Sequence, residues 1–278
     1  MTAKAPPYVI TAAVVGAETT REQTPYLPIS AQELGEEAAR CREAGAAMVH
    51  LHVRNPDGSP SQAPELFRAA IREIRKRCDI LVQTSTGGAV GMGVDERCGP
   101  LTLTGEDRPD MATLTTGTVN FGQDVFWNPR PLVRDIAKRI RALGIRPEIE
   151  CFDVGMIDEA VALQKEGLVD FPAHYDFVVG VPGAIGARPE VVDFMAAQLP
   201  PGSTFTVAGV GRHQISMAEY SAEKGGNGRV GLEDNVYLSK GVLAKGSFEL
   251  VAEAARRARA RGREIATPQQ ARELLRLG

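Results

Sequence analysis

Two histidines one residue apart, in the run Met48-Val49-His50-Leu51-His52-Val53, are the side chains of this sequence best spaced for chemistry. Alternate side chains of a strand share a face, so His50 and His52 project together while Val49, Leu51 and Val53 pack on the other side. A pair of hydrogen-bonded core histidines is the plainer explanation. With only 4 histidines in the chain, two at this spacing favour a metal site instead. A catalytic zinc site takes a third protein ligand and leaves positions open. The candidates are Glu233 and Asp234. Read as consecutive strand residues, only one of them faces the metal while its neighbour turns away or lies on the loop, which divides them into one ligand and one base. Arg229, four residues before Glu233 on the same strand face, keeps a neighbouring carboxylate ionised. The competing role for the two acids is to cap the following helix, which leaves the histidine pair unexplained.

Other polar groups gather at the ends of apolar runs. Gln83-Thr84-Ser85-Thr86-Gly87-Gly88 offers backbone N–H groups and hydroxyls that suit a carboxylate or phosphate; it has no P-loop lysine, and a plain turn explains it equally well. Gly209-Val210-Gly211-Arg212 reads either as a phosphate grip or as a tight strand exit. Glu18, just after the first run, is placed to meet a cationic group, against the plainer reading of an exposed loop glutamate.

These residues need a scaffold that brings many strand ends together. Eight β-rich runs are legible: Tyr8–Val15, Met48–Val53, Ile80–Thr86, Met111–Gly117, Arg146–Phe152, Tyr175–Val181, Ser203–Gly211 and Gly228–Asp234. Helix signals lie between them. Ser30-Ala31-Gln32-Glu33 is a capping box opening a helix to Gly45; further helices are predicted over 64–77, 131–143, 157–166, 189–199, 216–224 and 239–261, with a degenerate one within 87–109. Strand-then-helix repeats with apolar strands mean parallel pairing covered on both faces. Eight repeats predict a closed α/β barrel, the (β/α)8 or TIM fold, as one domain over residues 1–278. Polar residues ending six of the strands agree with a barrel mouth; an open doubly wound sheet, which gathers ligand groups at one switch point, is the alternative.

Composition narrows the partners. The 278 residues are 43% hydrophobic and 24% charged, with a net charge of −3 and no basic cluster beyond a helical tail, so neither nucleic acid nor an anionic membrane is an expected partner. The apolar start is too short to span a bilayer and no cleavage pattern follows it, which makes a cytoplasmic location the expectation. Cys41, Cys78, Cys98 and Cys151 are too scattered for a disulfide framework or a cysteine metal knuckle.

The segments 11–21, His50-Leu51-His52-Val53-Arg54, Gln83 to Gly88, Met111-Ala112-Thr113-Leu114, Pro147-Glu148-Ile149-Glu150, Gly180-Val181-Pro182-Gly183 and Gly231-Leu232-Glu233-Asp234-Asn235 together resemble the β-keto acid cleavage enzymes. The likeness runs from about Tyr8 to Ala266-Thr267-Pro268. It implies a zinc-dependent barrel that condenses a β-keto acid with acetyl-CoA, giving acetoacetate and a new acyl-CoA by a retro-Claisen route. By matched motif, His50, His52 and Glu233 are the expected zinc ligands, and Asp234 with Arg229 beside it is the expected base. Ser85, Gly88 and Thr113 match positions that hold the β-keto acid. Glu18 matches the residue that receives a substrate ammonium, and Glu150 matches a further acid in the pocket. A cationic substrate follows, with 3-keto-5-aminohexanoate first and another amino or trimethylammonium β-keto acid second. The resemblance also implies a homotetramer, although the arginine-rich helix over 252–263 reads by default as a solvated face. Nitrogen and oxygen ligands suit zinc without excluding manganese, iron or cobalt. The chain departs from the family pattern at His213-Gln214 and in the polar stretch Ala218 to Lys224, near the mouth where CoA is expected to enter.

Two other chemistries fit parts of the pattern. A metal-dependent hydrolase barrel of the amidohydrolase type places its histidine dyad on the first strand and wants more histidines; here only His174, read as lying before its strand, and His213 remain. An aldol-type CoA lyase would cleave without acetyl-CoA as co-substrate. A binding protein on the same barrel would need no base beside a metal ligand.

Overall fold

Alternate residues of each apolar run go to different places. In the computed structural model, which describes residues 5–277, the strands are β1 (Ile10–Ala13), β2 (Met48–Leu51), β3 (Leu81–Thr84), β4 (Met111–Thr115), β5 (Arg146–Cys151), β6 (His174–Val179), β7 (Thr204–Gly209) and β8 (Asn227–Val230). They close into a barrel in chain order, β8 pairing back onto β1, and every neighbouring pair is parallel. One set of strand residues, among them Val49, Leu51, Val82, Leu114, Ile149, Phe177 and Val207, packs in the buried apolar clusters. The alternate set, including Thr11, His50, Gln83, Thr113, Glu148, Asp176, Thr206 and Arg229, is just as buried but polar. A barrel interior is ordinarily filled with branched apolar residues; here the apolar layer is confined to the floor, where Val9, Met48, Leu81 and Met111 meet Ala271, Leu275 and Leu277.

Helices follow the strands: α1 (Ala31–Ala44), α2 (Pro64–Arg77), α3 (Val94–Arg97), α4 (Arg130–Ala142), α5 (Gly155–Lys165), α6 (Pro189–Ala197), α7 (Gln214–Glu223) and α8 (Ser247–Ala260). The capping box forms as predicted: Glu33 N–H donates to Ser30 Oγ, and Ser30 N–H donates to Glu33 Oε2 at 2.8 Å. The expected degenerate unit after β3 is the single turn of α3 with two 3-10 turns. A helix not anticipated from sequence, α9 (Pro268–Leu274), closes the barrel floor.

Most strands stop short of the apolar runs that announced them, because their last residues leave the barrel. Val53–Arg54 joins Pro60–Ser61 in an antiparallel ribbon, and a second ribbon pairs Val119–Phe121 with Asp124–Phe126. A third, Tyr237–Ser239 with Val242–Leu243, occupies the start of the helix predicted over 239–261, so that α8 begins only at Ser247. His174, which the sequence places ahead of its strand, is the first residue of β6, its ring turned into the barrel. Among the described residues no helix is long and apolar enough to cross a membrane. The four cysteines are free.

Candidate metal centre and active site

The β2 register sets His50 beside Gln83 of β3 and beside Ala13 of β1. His50 and His52 emerge on one face with ring centroids 5.2 Å apart. Glu233 Oε1 lies 3.5 Å from His50 Nε2 and 3.7 Å from His52 Nε2, and one ligand atom from each of the three side chains falls within 4.8 Å of the others. The other Glu233 oxygen, Oε2, is buried without a hydrogen-bond partner. Two imidazole nitrogens facing an ionised carboxylate with spare acceptor capacity form a donor set that fits a divalent cation. His50 Nδ1 meets Gln83 Oε1 at 2.7 Å. With the proton on Nδ1, the Nε2 lone pair is left for a ligand.

Glu233 and Asp234 do not lie on β8. The strand ends at Val230 because Gly231 passes against β1 so closely that a Cβ there would stand 2.0 Å from Ala13 O. The chain then turns, with Asp234 and Asn235 N–H groups donating to Gly231 O. In this turn both carboxylates face the site, which corrects the strand expectation that one of them turns away. Thr19 Oγ1 donates to Leu232 O at 3.0 Å, Gln214 Nε2 donates to Gly231 O at 3.0 Å, and Leu232 N–H donates to Ser247 Oγ at 3.0 Å, pinning the turn from three sides. Gly16, at φ 63°, keeps the first loop clear of Glu233, whose Cγ would lie 2.4 Å from a Cβ at that position.

Arg229 gathers the acids. Its Nη2 is 2.5 Å from Glu233 Oε1, Nε and Nη2 each lie 3.0 Å from an Asp234 oxygen, and Nη1 is 3.3 Å from Glu150 Oε1 and 3.6 Å from Asp176 Oδ2. Burial opposes its charge, but Asp234, Glu233, Asp176 and Glu150 together raise its pKa well above normal. Burial likewise raises the Glu233 pKa, yet Arg229, His50 and His52 more than reverse this and hold it ionised. Asp234 goes the other way: burial, reinforced by Glu233 and only partly offset by Arg229, raises it to about 6. Adjacent carboxylates thus differ in proton affinity, one kept charged and one poised to exchange a proton near neutrality. Burial lowers His52 to about 4, leaving it neutral.

A cavity of about 410 Å3 opens over these groups and includes Glu18, His50, His52, Ser85, Gly88, Glu150, Arg229, Glu233 and Asp234 among its walls. Glu18 is on the exposed rim. Ser85 Oγ accepts Gly87 N–H at 3.0 Å, shaping the loop that exposes Gly88 at φ 64°. Glu150 Oε2 accepts from Thr115 Oγ1 at 2.6 Å. Thr113 is fully buried, and its Oγ1 accepts Thr86 N–H at 3.1 Å, which ties β4 to the loop bearing Ser85 and Gly88. Arg212 is exposed on the 3-10 turn Gly211–His213 and is absent from the wall.

Several residues take roles that the sequence reading does not assign them. Gln83 stands level with His50 in the register of β2 on β3, and Gln214 pins the acid-bearing turn. Arg54 crosses under the first loop, donating to Gly16 O at 2.8 Å and Thr19 O at 2.7 Å, and so holds the segment bearing Glu18. Asp124, at the tip of the second ribbon, puts another carboxylate on the cavity wall.

Comparison with known proteins gives a match to the model of the beta-keto acid cleavage enzyme family over residues 7–277. The chain is 49% identical to the 3-keto-5-aminohexanoate cleavage enzyme of Fusobacterium nucleatum subsp. nucleatum, over 97% of each chain. It is 44% identical to the 3-oxoadipate:acetyl-CoA acetyltransferase of Cupriavidus necator, over 97% of this chain and 94% of that one. Among solved structures, apo ObcA has the same fold with a TM-score of 0.78 at 23% identity, covering 91% of this chain and 66% of ObcA.

Proposed function

This chain belongs to the β-keto acid cleavage enzymes, and we propose that it transfers the acetyl group of acetyl-CoA to a β-keto acid bearing a cationic tail, releasing acetoacetate and a new acyl-CoA. The observation that carries this reading is the convergence of His50, His52 and Glu233 beside an Asp234 of raised proton affinity in one cavity. Those three residues would hold a divalent cation, zinc being the first choice, which would supply Lewis-acid character at the keto oxygen of the substrate.

The protein groups supply the rest. The loop from Ser85 to Gly88 offers the Ser85 hydroxyl and the Gly88 N–H to the substrate carboxylate, its other N–H groups being used within the protein. Asp234 removes a proton from the carbon between the substrate's carboxylate and keto groups, while Arg229 keeps the Asp234 side chain aimed and stays charged throughout. The carbanion attacks the acetyl carbonyl and CoA leaves as its thiolate. The thiolate adds to the former keto carbon, the bond between the two substrate carbons breaks, and Asp234 returns its proton to the departing acetoacetate. Each bond formed is matched by one broken, and no redox cofactor is needed.

The charge of the cavity supports a cationic tail. Its wall carries Glu18, Asp124, Glu150, Glu233 and Asp234 against the single guanidinium of Arg229. A dication leaves the balance negative, which disfavours a second carboxylate on the substrate. The test is purified protein, acetyl-CoA and a panel of β-keto acids, with acetoacetate followed. Turnover that requires acetyl-CoA, is abolished by chelation and returns with a divalent ion is expected. Cleavage without acetyl-CoA would assign the protein to the lyases and overturn the reading.

A further inference from the structure

Below the proposed metal site, the barrel holds an amide, two acids and a histidine that the chemistry above does not use. Gln83, Glu148, Asp176 and His174 project inward from three strands and are all buried. Gln83 Oε1 lies 2.7 Å from His50 Nδ1. Only one orientation of that amide lets His50 carry its proton on Nδ1 and offer Nε2 toward Glu233; the flipped amide would donate to Nδ1 and drive the ring proton to Nε2.

Glu148 favours the productive orientation. An ionised carboxylate only accepts, so it attracts the amide NH2 and repels the amide oxygen. Burial raises the Glu148 pKa, but His174 and a contact from the Gln83 amide bring it below the usual carboxylate range. Gln83 Nε2 and both Glu148 oxygens are buried without a hydrogen-bond partner, so an unsatisfied donor and an unsatisfied acceptor share the barrel interior. His174 Nε2 sits 3.2 Å from Glu148 Oε2, and the ring is held by Thr206 Oγ1 at 3.0 Å and Thr204 Oγ1 at 2.7 Å.

We propose that Glu148, braced by His174, is a positioning residue that orients the Gln83 amide and through it fixes the His50 tautomer required of a metal ligand. This rests on the metal site proposed above. Metal-stripped full-length protein is titrated with zinc, comparing wild type, Glu148→Gln, Gln83→Met and the double variant. Glu148→Gln lowers zinc affinity about tenfold or more, the usual effect of losing an outer partner of a ligating histidine. Because Glu148 acts through Gln83, the double variant binds no more weakly than Gln83→Met alone. Losses that add, or a Glu148→Gln variant with wild-type affinity, overturn the proposal. The 15N spectrum of the His50 ring in metal-free protein at alkaline pH separates this relay from the metal reading. A proton on Nδ1 in wild type that shifts toward Nε2 in Glu148→Gln supports the relay even if zinc does not bind. An Nε2 proton in wild type refutes it. Should Glu148→Gln fail to fold, His174→Gln, one step further out, is expected to weaken zinc binding in the same direction, and wild-type affinity there also counts against the relay.

Discussion

Asp234 and Glu233 are neighbours in sequence with opposite proton affinities, and this contrast divides their labour. A base must be ionised to accept a proton, so turnover falls as pH drops through about 6, the value to which burial and Glu233 raise Asp234. A bound dication lowers that value, placing the acid limb at or below it. A pH–rate profile checks the direction; activity that rises on acidification would contradict the assignment. Asp234→Asn is expected to lose at least about 100-fold in kcat, the low end of the contribution of general base catalysis, while retaining its metal. His50→Ala, by contrast, loses metal and activity together. Acetoacetate release at wild-type rate from Asp234→Asn removes the residue from the mechanism.

At the scale of elements, the sequence made the strand interiors legible and left their ends obscure. His50-Leu51-His52 announced itself because alternation in a strand is a local rule. The placement of Glu233 and Asp234 followed instead from Gly231 pressing on the backbone of Ala13, a contact between residues far apart in the chain that no periodicity encodes. Gly231→Ala is expected to push the acid-bearing turn off β1 and lower both Tm and metal affinity; an unchanged Tm would show that the contact is slack. The capping box was fully local and formed as written. Burial raises the Glu33 pKa, but hydrogen bonds from Ser30, Ile29 and Arg21 bring it down to about 2. The stabilisation it gives is therefore complete above its ordinary value and is lost as pH falls through about 2. Ser30→Ala should cost about 1 kcal/mol at neutral pH by denaturant unfolding, and a cost that grows on acidification would contradict this linkage.

The whole molecule concentrates negative charge in one mouth and seals the other end with α9 and an apolar floor. Cation-tailed β-keto acids are therefore expected to show higher kcat/KM than dicarboxylic ones of equal length. Glu18→Gln should narrow that preference by about tenfold, the size of one hydrogen bond to a charged group. Equal use of both substrate types by the wild-type protein would move selectivity away from the rim. The central claim, however, is the ion itself. Diffraction at the zinc absorption edge from crystals grown with zinc tests it most directly. An anomalous peak about 2.0–2.2 Å from His50 Nε2, His52 Nε2 and a Glu233 oxygen is the predicted result, and a map with no peak among those three atoms would contradict it.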